Sequence, residues 1–480
     1  MQSKFGRDLT TGSIPKHLVA FSIPMLLGSF LQTAYSFINA IWVGRFLGTS
    51  ALATVTVSFP VVFVLFAIGM GLTMATGILV SQNFGARKMD ELKKVVDSST
   101  LLIYSLSIVL TVLGQLFAPS VLRAMDTPPE VFDASVSYLR IFLLSMPLGF
   151  GLFLTRSLLQ GIGDSKTPLY FQFGSVLFTT VLDPLLMFGW LGLPKLGLNG
   201  TAWATVISQA LALVTLISYL RVKKVPVAPS WPRLNHLGPI TWKTLKIGVP
   251  AAVQQSLVSI GMVLVTGLVN GFGEIATAAF GAASRIDQIA FMPAMTFGMA
   301  ISTLAGQNLG AGHHHRVKEI FRWGCLLAGG TTFVISAIVV AFPDVLLKVF
   351  VSDPAVLAPG ISYLHIVGSC YVLFALLFVS NGIINGSGHT LMTTVISLLS
   401  LWLIRVPVAW WLSRRMGSVT GIWYGMALSF GFSLMASMGY YLSGRWKRGL
   451  AKKPPAAEPE PAAPKTPNPG EIFGHETGEV

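Results

Sequence analysis

The stretch Gln82-Asn83-Phe84-Gly85-Ala86 returns 225 residues later, from position 82 to position 307, as Gln307-Asn308-Leu309-Gly310-Ala311. Each copy follows a long apolar run and precedes a basic one. The same offset pairs Tyr138 with Tyr363, Gly161 with Gly386 and Gly163 with Gly388. Nearly the whole chain is therefore two copies of one unit. Two parallel halves around a central cavity form one of the architectures on which transporters are built.

The composition indicates a membrane protein. Of the 480 residues, 53% are hydrophobic and 11% charged, and the mean hydropathy is +0.69, whereas soluble domains carry about 25% charged residues. Crossing the hydrocarbon layer takes about 20 apolar residues, and the backbone of such a run must be helical. The sequence predicts an all-α polytopic fold of twelve transmembrane helices in two homologous six-helix lobes. The apolar runs lie near 16–40, 51–80, 95–118, 132–156, 168–191, 199–220, 244–268, 276–305, 320–342, 357–383, 391–412 and 419–443.

The net charge of +14 is explained by topology, so we expect no nucleic-acid partner. Most Lys and Arg residues fall between alternate runs, which predicts that both termini are cytoplasmic. A tail rich in Pro, Ala and Glu should be disordered and dispensable. The predicted organisation is a cytoplasmic N-terminus (1–15), an N-lobe (16–221), a cytoplasmic linker (222–242), a C-lobe (243–444) and the tail (445–480).

Several other classes of protein are disfavoured. Cys325 and Cys370 both lie in apolar runs, so neither a disulfide framework nor a cysteine metal site is expected. The adjacent histidines at 313–315 sit in a predicted loop, without helical metal-ligand spacing. No phosphate-binding loop of the ATPase type and no enzyme constellation occurs. We therefore expect a protein that is not an enzyme, that has no metal or cofactor beyond a coupling ion, and that acts as a monomer.

The chain resembles the multidrug and toxic compound extrusion (MATE) family over about residues 10–445. The doubled turn makes the resemblance fairly specific. It implies a V-shaped, two-lobed exporter in the bacterial inner membrane, driven by inward flow of H⁺ or Na⁺. The matching stretches are Val80–Ala86, Gly306–Gly312, Leu182-Asp183-Pro184, Gln160–Ser165, Ser284–Asp287 and Phe291-Met292-Pro293.

Two carboxylates lie well inside apolar runs, Asp183 and Asp287. Charged groups at such depth are costly and usually serve a wet cavity. Asp183 is the stronger candidate, because Thr179 lies one turn earlier on the same helical face and Pro184 should break the helix and free carbonyls. A carboxylate that is alternately dried and wetted can bias the state of a transporter by binding a proton. The alternative is a structural hydrogen-bond acceptor.

The resemblance also implies a site in the N-lobe formed by a first-helix acid, a fifth-helix Asp and a sixth-helix Thr. The last two correspond to Asp183 and Thr201, but Asn39 stands where an acid is usual, and asparagine cannot titrate. The seventh-helix Glu of other members is replaced by a region containing Gln254 and Gln255. Either Asp183 couples alone or Asp287 contributes. For Asp287, a buried ion pair is the competing interpretation.

Gln254 and Gln255 are also candidate substrate contacts, together with residues of the first helix and of a Met-rich stretch in the second half. Gln32, Tyr35, Ser36 and Asn39 form a polar stripe on the first helix, which should face either the cavity or another helix. Met292 belongs to a Met-rich stretch that would suit flat apolar cations, although ordinary membrane packing explains most such residues.

The leading function is a secondary antiporter that exports lipophilic or cationic compounds in exchange for H⁺ or Na⁺. The alternative is a lipid-linked saccharide flippase of the same superfamily, which would need arginines in its cavity for pyrophosphate. This alternative is supported by four arginines in the apolar runs, namely Arg140, Arg156, Arg285 and Arg405.

Overall fold

The computed structural model describes residues 6–229 and 237–447, and these are almost entirely helical. Predictions for the tail beyond residue 447 lie outside the described residues. The helices of the first half are α1 (Ile14–Trp42), α2 (Thr49–Gly85), α3 (Met89–Ala124), α4 (Pro129–Leu143), α5 (Met146–Gly161), α6 (Lys166–Phe188) and α7 (Leu198–Val222).

The second half repeats this order with one short addition. Its helices are α8 (Leu237–Asn270), α9 (Glu274–Gly310), α10 (His314–Ala341), α11 (Pro343–Lys348), α12 (Pro354–Ile366), α13 (Tyr371–Gly386), α14 (Thr390–Leu398), α15 (Val406–Met416) and α16 (Thr420–Leu442). A π-helical turn, Leu399–Arg405, joins α14 to α15 in one continuous crossing.

The described helices account for twelve crossings. Ten segments are long and apolar enough to span a membrane, and α4 with α5, bent by 43°, makes an eleventh. The twelfth is α16, which has 23 residues and is less apolar because Gly, Ser and Tyr interrupt it. The prediction of an all-α fold in two six-helix lobes is confirmed.

The start of the first helix of each half packs against the other half; we call this arrangement the exchange. Ile14, Leu18, Phe21 and Met25 of α1 pack into the hydrophobic core of the second half, and Ile247 of α8 packs into that of the first half. The start of each lobe's first helix is thus packed in the other lobe. The exchange occurs on the side that holds the chain start and the ends of α2 and α9. We call this side the basic face; it carries Arg7, Lys88, Lys93, Lys223 and Lys318.

The sequence of the doubled turn predicts that Gly85 and Gly310 close a helix C-terminus as left-handed residues, but the structure gives these glycines a different role. Gly85 and Gly310 are the last residues of α2 and α9, and the left-handed residues come later, at Arg87 (φ 57°) and Gly312 (φ 78°). A Cβ on Gly85 would collide with the backbone of Gln307, and one on Gly310 with the backbone of Gln82. The glycines therefore allow the two lobes to approach closely.

Candidate functional site

Asp183 lies in the half of the membrane remote from the basic face. It is five residues from the end of α6 at Phe188, and its side chain is only 1% exposed. α6 continues through Pro184, so the predicted break is absent. The proline only removes the N–H that would have bonded the carbonyl of Thr180. The carboxylate is thus enclosed on a nearly regular helix rather than beside freed carbonyls.

The first helix supplies both hydrogen-bond donors to this carboxylate. The Tyr35 hydroxyl donates to Asp183 Oδ2 at 3.3 Å, and Asn39 Nδ2 donates to the same oxygen at 3.2 Å. They reach it because residues 35 and 39 are one turn apart on the face of α1 that packs on α6. The other oxygen, Oδ1, is buried and has no hydrogen-bond partner among the described residues. Oδ2 thus accepts two hydrogen bonds, and Oδ1 accepts none from the described residues.

A second ring of hydroxyl groups surrounds these three residues. The Tyr138 hydroxyl lies beside Thr201 and close to the Asp183 charge, and Tyr35 lies beside Thr205. Thr201 and Thr179 donate to the carbonyls of Leu198 and Ser175 on their own helices. Sequence reasoning missed Tyr138 as a site residue, although its repetition at Tyr363 was the available signal.

The carboxylate of the second lobe has a different environment. Asp287 lies on α9, is 7% exposed, and receives the hydroxyls of Tyr363 on Oδ2 and Tyr371 on Oδ1. Both oxygens are therefore occupied, and no ion pair to Asp287 occurs within the described ranges. The alternative interpretation, a buried ion pair, is therefore not found, and Arg285, which lies two residues before Asp287, stacks over the ring of Phe350 at 5.9 Å.

The two lobes differ at the positions of the two hydrogen-bond donors to Asp183. In α8, the residues that correspond to Tyr35 and Asn39 are apolar, whether the halves are aligned on Gly48 and Gly273 (Ile260 and Leu264) or on Pro24 and Pro250 (Gly261 and Val265). The tyrosine pair Tyr138 and Tyr363 is retained on both sides. Of the two buried carboxylates Asp183 and Asp287, only Asp183 in the first lobe has an oxygen without a hydrogen-bond partner among the described residues.

The predicted substrate residues do not converge on one point. The amide of Gln172 donates to Gln32 Oε1 at 3.4 Å, and Ser36 donates to the carbonyl of Gln32. Much of the polar stripe thus packs α1 against α6. In the second lobe, Gln254 donates to Ser397 at 2.7 Å, Gln255 is exposed and Met292 is half-buried. No described hydrogen bond joins these three to the Asp183 group.

No group of three or more metal-ligating side chains occurs among the described residues. The family model described as MatE matches residues 24–185 and 250–411, once in each half. The chain belongs to the MATE family. Its two matched blocks contain Asp183 and Asp287, respectively.

Relatives of known name agree with this assignment. The chain is 34% identical over 433 residues to the probable multidrug resistance protein YoeA of Bacillus subtilis, covering 89% of this chain and 94% of that protein. It is 25% identical to the probable multidrug resistance protein NorM of Thermotoga maritima, covering 91% and 94%. A solved outward-facing multidrug resistance MATE transporter superimposes with a TM-score of 0.84 at 22% identity, covering 93% of this chain and 98% of that one. The last similarity establishes the fold of this chain, and its long apolar helices and family match make it a multi-pass membrane protein.

Proposed function

We propose that the protein is a secondary antiporter that exports lipophilic, often cationic, organic compounds in exchange for H⁺. The observation that carries the proposal is the enclosed Asp183 with one free oxygen. Membership of the MATE family and the names of the relatives as multidrug resistance proteins supply the substrate class. An exchanger needs one group whose charge changes during the cycle, and Asp183 is placed to be that group.

Protonation would act through α1. A charged Asp183 attracts the donors on Tyr35 and Asn39, and a proton on Oδ1 weakens both hydrogen bonds because bonds to ionised groups are the stronger ones. α1 is held at its outer half by α6 and at its start by the second lobe. A change at Asp183 is thus applied to a helix that both lobes hold. Proton and substrate then favour different states of the same protein.

The donors around the carboxylate favour H⁺ over Na⁺. Tyr35 and Asn39 both present hydrogen atoms to Oδ2, whereas a sodium ion needs several oxygen lone pairs directed at it. Asparagine at position 39 also removes the second negative charge that would help to hold a metal cation. A single carboxylate with hydroxyl and amide donors suits a proton.

Asp287 is assigned a structural role in the second lobe. Both of its oxygens accept tyrosine hydroxyls, so a proton or a cation would have to compete with hydrogen bonds that already stabilise the charge and would weaken them. Tyr363 and Tyr371 belong to different helices, α12 and α13. The carboxylate therefore joins α9 to the crossing formed by α12 and α13.

A saccharide flippase remains the competing function. It requires arginines that are free to bind the pyrophosphate of a lipid-linked saccharide. Arg140 donates to the carbonyl of Gln115, and Arg405 donates to Ser429 and lies 4.8 Å from the Phe430 ring. With Arg285 on Phe350, three of the four arginines are engaged by the protein. Only Arg156 is without a described partner, which favours export over binding of a pyrophosphate.

We further propose that the basic face is cytoplasmic, as the positive-inside rule requires, in a bacterial inner membrane. The partners are then small organic substrates and the lipid bilayer, with H⁺ as the only cofactor-like requirement. No nucleic acid and no second subunit are needed for this mechanism.

The deciding experiment measures ethidium transport in inverted vesicles under separately imposed pH and Na⁺ gradients. An acidic interior should drive ethidium inward, and a Na⁺ gradient alone should not. Transport that follows only the Na⁺ gradient would contradict proton coupling. No dye movement under either gradient, together with movement of a lipid-linked saccharide, would favour the flippase.

A further inference from the structure

The doubled Gln-Asn turn joins the two lobes by a reciprocal pair of hydrogen bonds. Gln82 Nε2 donates to the carbonyl of Gly386 at 2.8 Å, and Gln307 Nε2 donates to the carbonyl of Gly161 at 2.9 Å. Donors and acceptors are each related by the same 225-residue offset. Both glutamine side chains are buried, with 6% and 0% exposure. The same contact is thus made twice, once in each direction between the lobes.

The segment before α1 adds a third connection, which we call the strap (Arg7–Ser13). The Arg7 N–H donates to the carbonyl of Ile162 in the first lobe at 2.9 Å. The Leu9 N–H donates to Gln307 Oε1 at 3.0 Å, and Asn308 Nδ2 donates to the Leu9 carbonyl at 3.1 Å. Leu9 is fully buried. The strap therefore connects Ile162 of the first lobe to the second turn, and its Leu9 N–H bonds the side-chain oxygen of Gln307.

The described bonds between the lobes are confined to the basic face. Five hydrogen bonds with a side-chain partner join the two halves over residues 6–229 and 237–447. They are Leu9 with Gln307, Gln82 with Gly386, Gln307 with Gly161, Asn308 with Leu9, and Arg316 with the carbonyl of Gly12 at 2.9 Å. Any opening of the molecule on this side has to break them, and buried amides that lose their partners are costly unless water replaces those partners.

We propose that Gln82 and Gln307 are the paired gate residues of the basic face, and that the strap is the third part of this gate. The two glutamines stabilise the state in which substrate cannot enter from this side. Because the bonds are reciprocal, a rotation of one lobe against the other breaks both together. The role of opening in substrate transport rests on the proposed exporter function. Whether these residues keep the basic face closed can be tested without measuring transport.

The turn contains its own control. Asn83 is the neighbour of Gln82 and carries the same amide group, but its Nδ2 donates to the carbonyl of Leu79 within α2 at 2.8 Å. Replacing Asn83 by Ala removes an amide from the turn without touching the other lobe. Replacing Gln82 or Gln307 removes a bond between the lobes.

The test measures the distance between spin labels on the two lobes. Lys88→Cys and His314→Cys place labels at exposed positions after the two turns, in a background where Cys325 and Cys370 are changed to Ser. We expect a single short distance in the parent. Gln82→Ala with Gln307→Ala should raise the ratio of long to short distances at least about tenfold, since each buried hydrogen bond contributes about fivefold. Asn83→Ala should leave the distribution unchanged.

A transport readout separates a gate from a merely structural contact. In the glutamine variants, the KM for dye offered at the basic face should fall, because more of the protein is open there, while turnover falls as closure becomes less favourable. If the double variant does not fold, Gln82→Met alone keeps the length of the side chain and loses the donor. Distance distributions of the glutamine variants that match Asn83→Ala would overturn the gate. Failure of dye transport in the parent would overturn the exporter and leave the distance result valid.

Discussion

The assignment of different roles to the two buried carboxylates can be tested by one matched pair of substitutions. Asp183→Asn and Asp287→Asn make the same chemical change, from a titratable acceptor to a neutral amide of the same shape. The structure predicts opposite consequences. Asp183→Asn should remain well folded and lose proton-driven export, whereas Asp287→Asn should lose stability and retain export.

The magnitudes follow from the hydrogen bonds at each site. Asp183 accepts two bonds, at 3.2 and 3.3 Å, which are longer than the roughly 2.7–2.9 Å of strong charged bonds. The amide keeps one oxygen as an acceptor, so we expect a change in unfolding free energy below about 1 kcal/mol. At Asp287 both oxygens accept hydroxyls. There the amide turns one acceptor into a donor and removes the charge, at a cost of about 2–3 kcal/mol.

Two measurements on each variant complete this test. Thermal unfolding in detergent should place Asp183→Asn with the parent and Asp287→Asn several degrees lower. Dye transport in vesicles under a pH gradient, normalised to the amount of folded protein, should be lost only in Asp183→Asn. Normal export by Asp183→Asn would refute the proposed coupling. Loss of coupling in a fully stable Asp287→Asn protein would move the coupling site to the second lobe.

Three further predictions concern the basic face and the tail. Gly85→Ala should destabilise the closed basic face by about 1–3 kcal/mol, because its Cβ meets backbone; Gly174→Ala, which meets open space on α6, is the thermal-unfolding control. Burial raises the pKa of Asp8, but hydrogen bonds from Thr10 and the charge of Arg87 lower it on balance below 3.8. The stability that the ionised Asp8 carboxylate gives the strap is therefore fully present above the ordinary pKa of 3.8. It is lost only as the pH falls through the lower pKa of Asp8 in the folded protein. His17 Nε2 contacts the Thr11 carbonyl at 2.7 Å, so a bimane label at Thr11→Cys is placed in a His17→Gln background; it should keep constant emission from about pH 8 to about pH 5 and change in stronger acid, and a transition near neutrality would contradict this. Deletion after Leu450 should leave dye efflux intact, and a collapse of the efflux rate would show that the tail has a role.

The fold was predictable because its signals are local and repeated. Apolar runs of membrane length and a motif recurring at a fixed offset determine the number of crossings and their pairing. The exchange of α1 and α8 between the lobes was not predictable. It depends on which apolar residues meet across the lobes, and Leu18 and Phe21 look the same in sequence whichever lobe they face.

The site was predictable only as a set of residue types. Asp183 could be singled out because charged groups are costly in lipid, and Asn39 because the resemblance to the MATE family implies an acid at that position. That Thr179 and Thr201 bond their own helices, and that Tyr35 and Asn39 are the donors to Asp183, depends on side-chain directions that spacing does not fix. Asp287 illustrates the same limit, since its tyrosine partners lie 76 and 84 residues further along the chain.

The reciprocal bonds of Gln82 and Gln307 have a consequence for the origin of the chain. A contact in which each side offers the same donor and the same acceptor is isologous, the kind that closes a two-fold symmetric homodimer. An ancestral six-helix protein could have made this contact with a second copy of itself before gene fusion. The two halves, expressed today as separate polypeptides divided within residues 222–242, should still carry the complementary surfaces with which to associate.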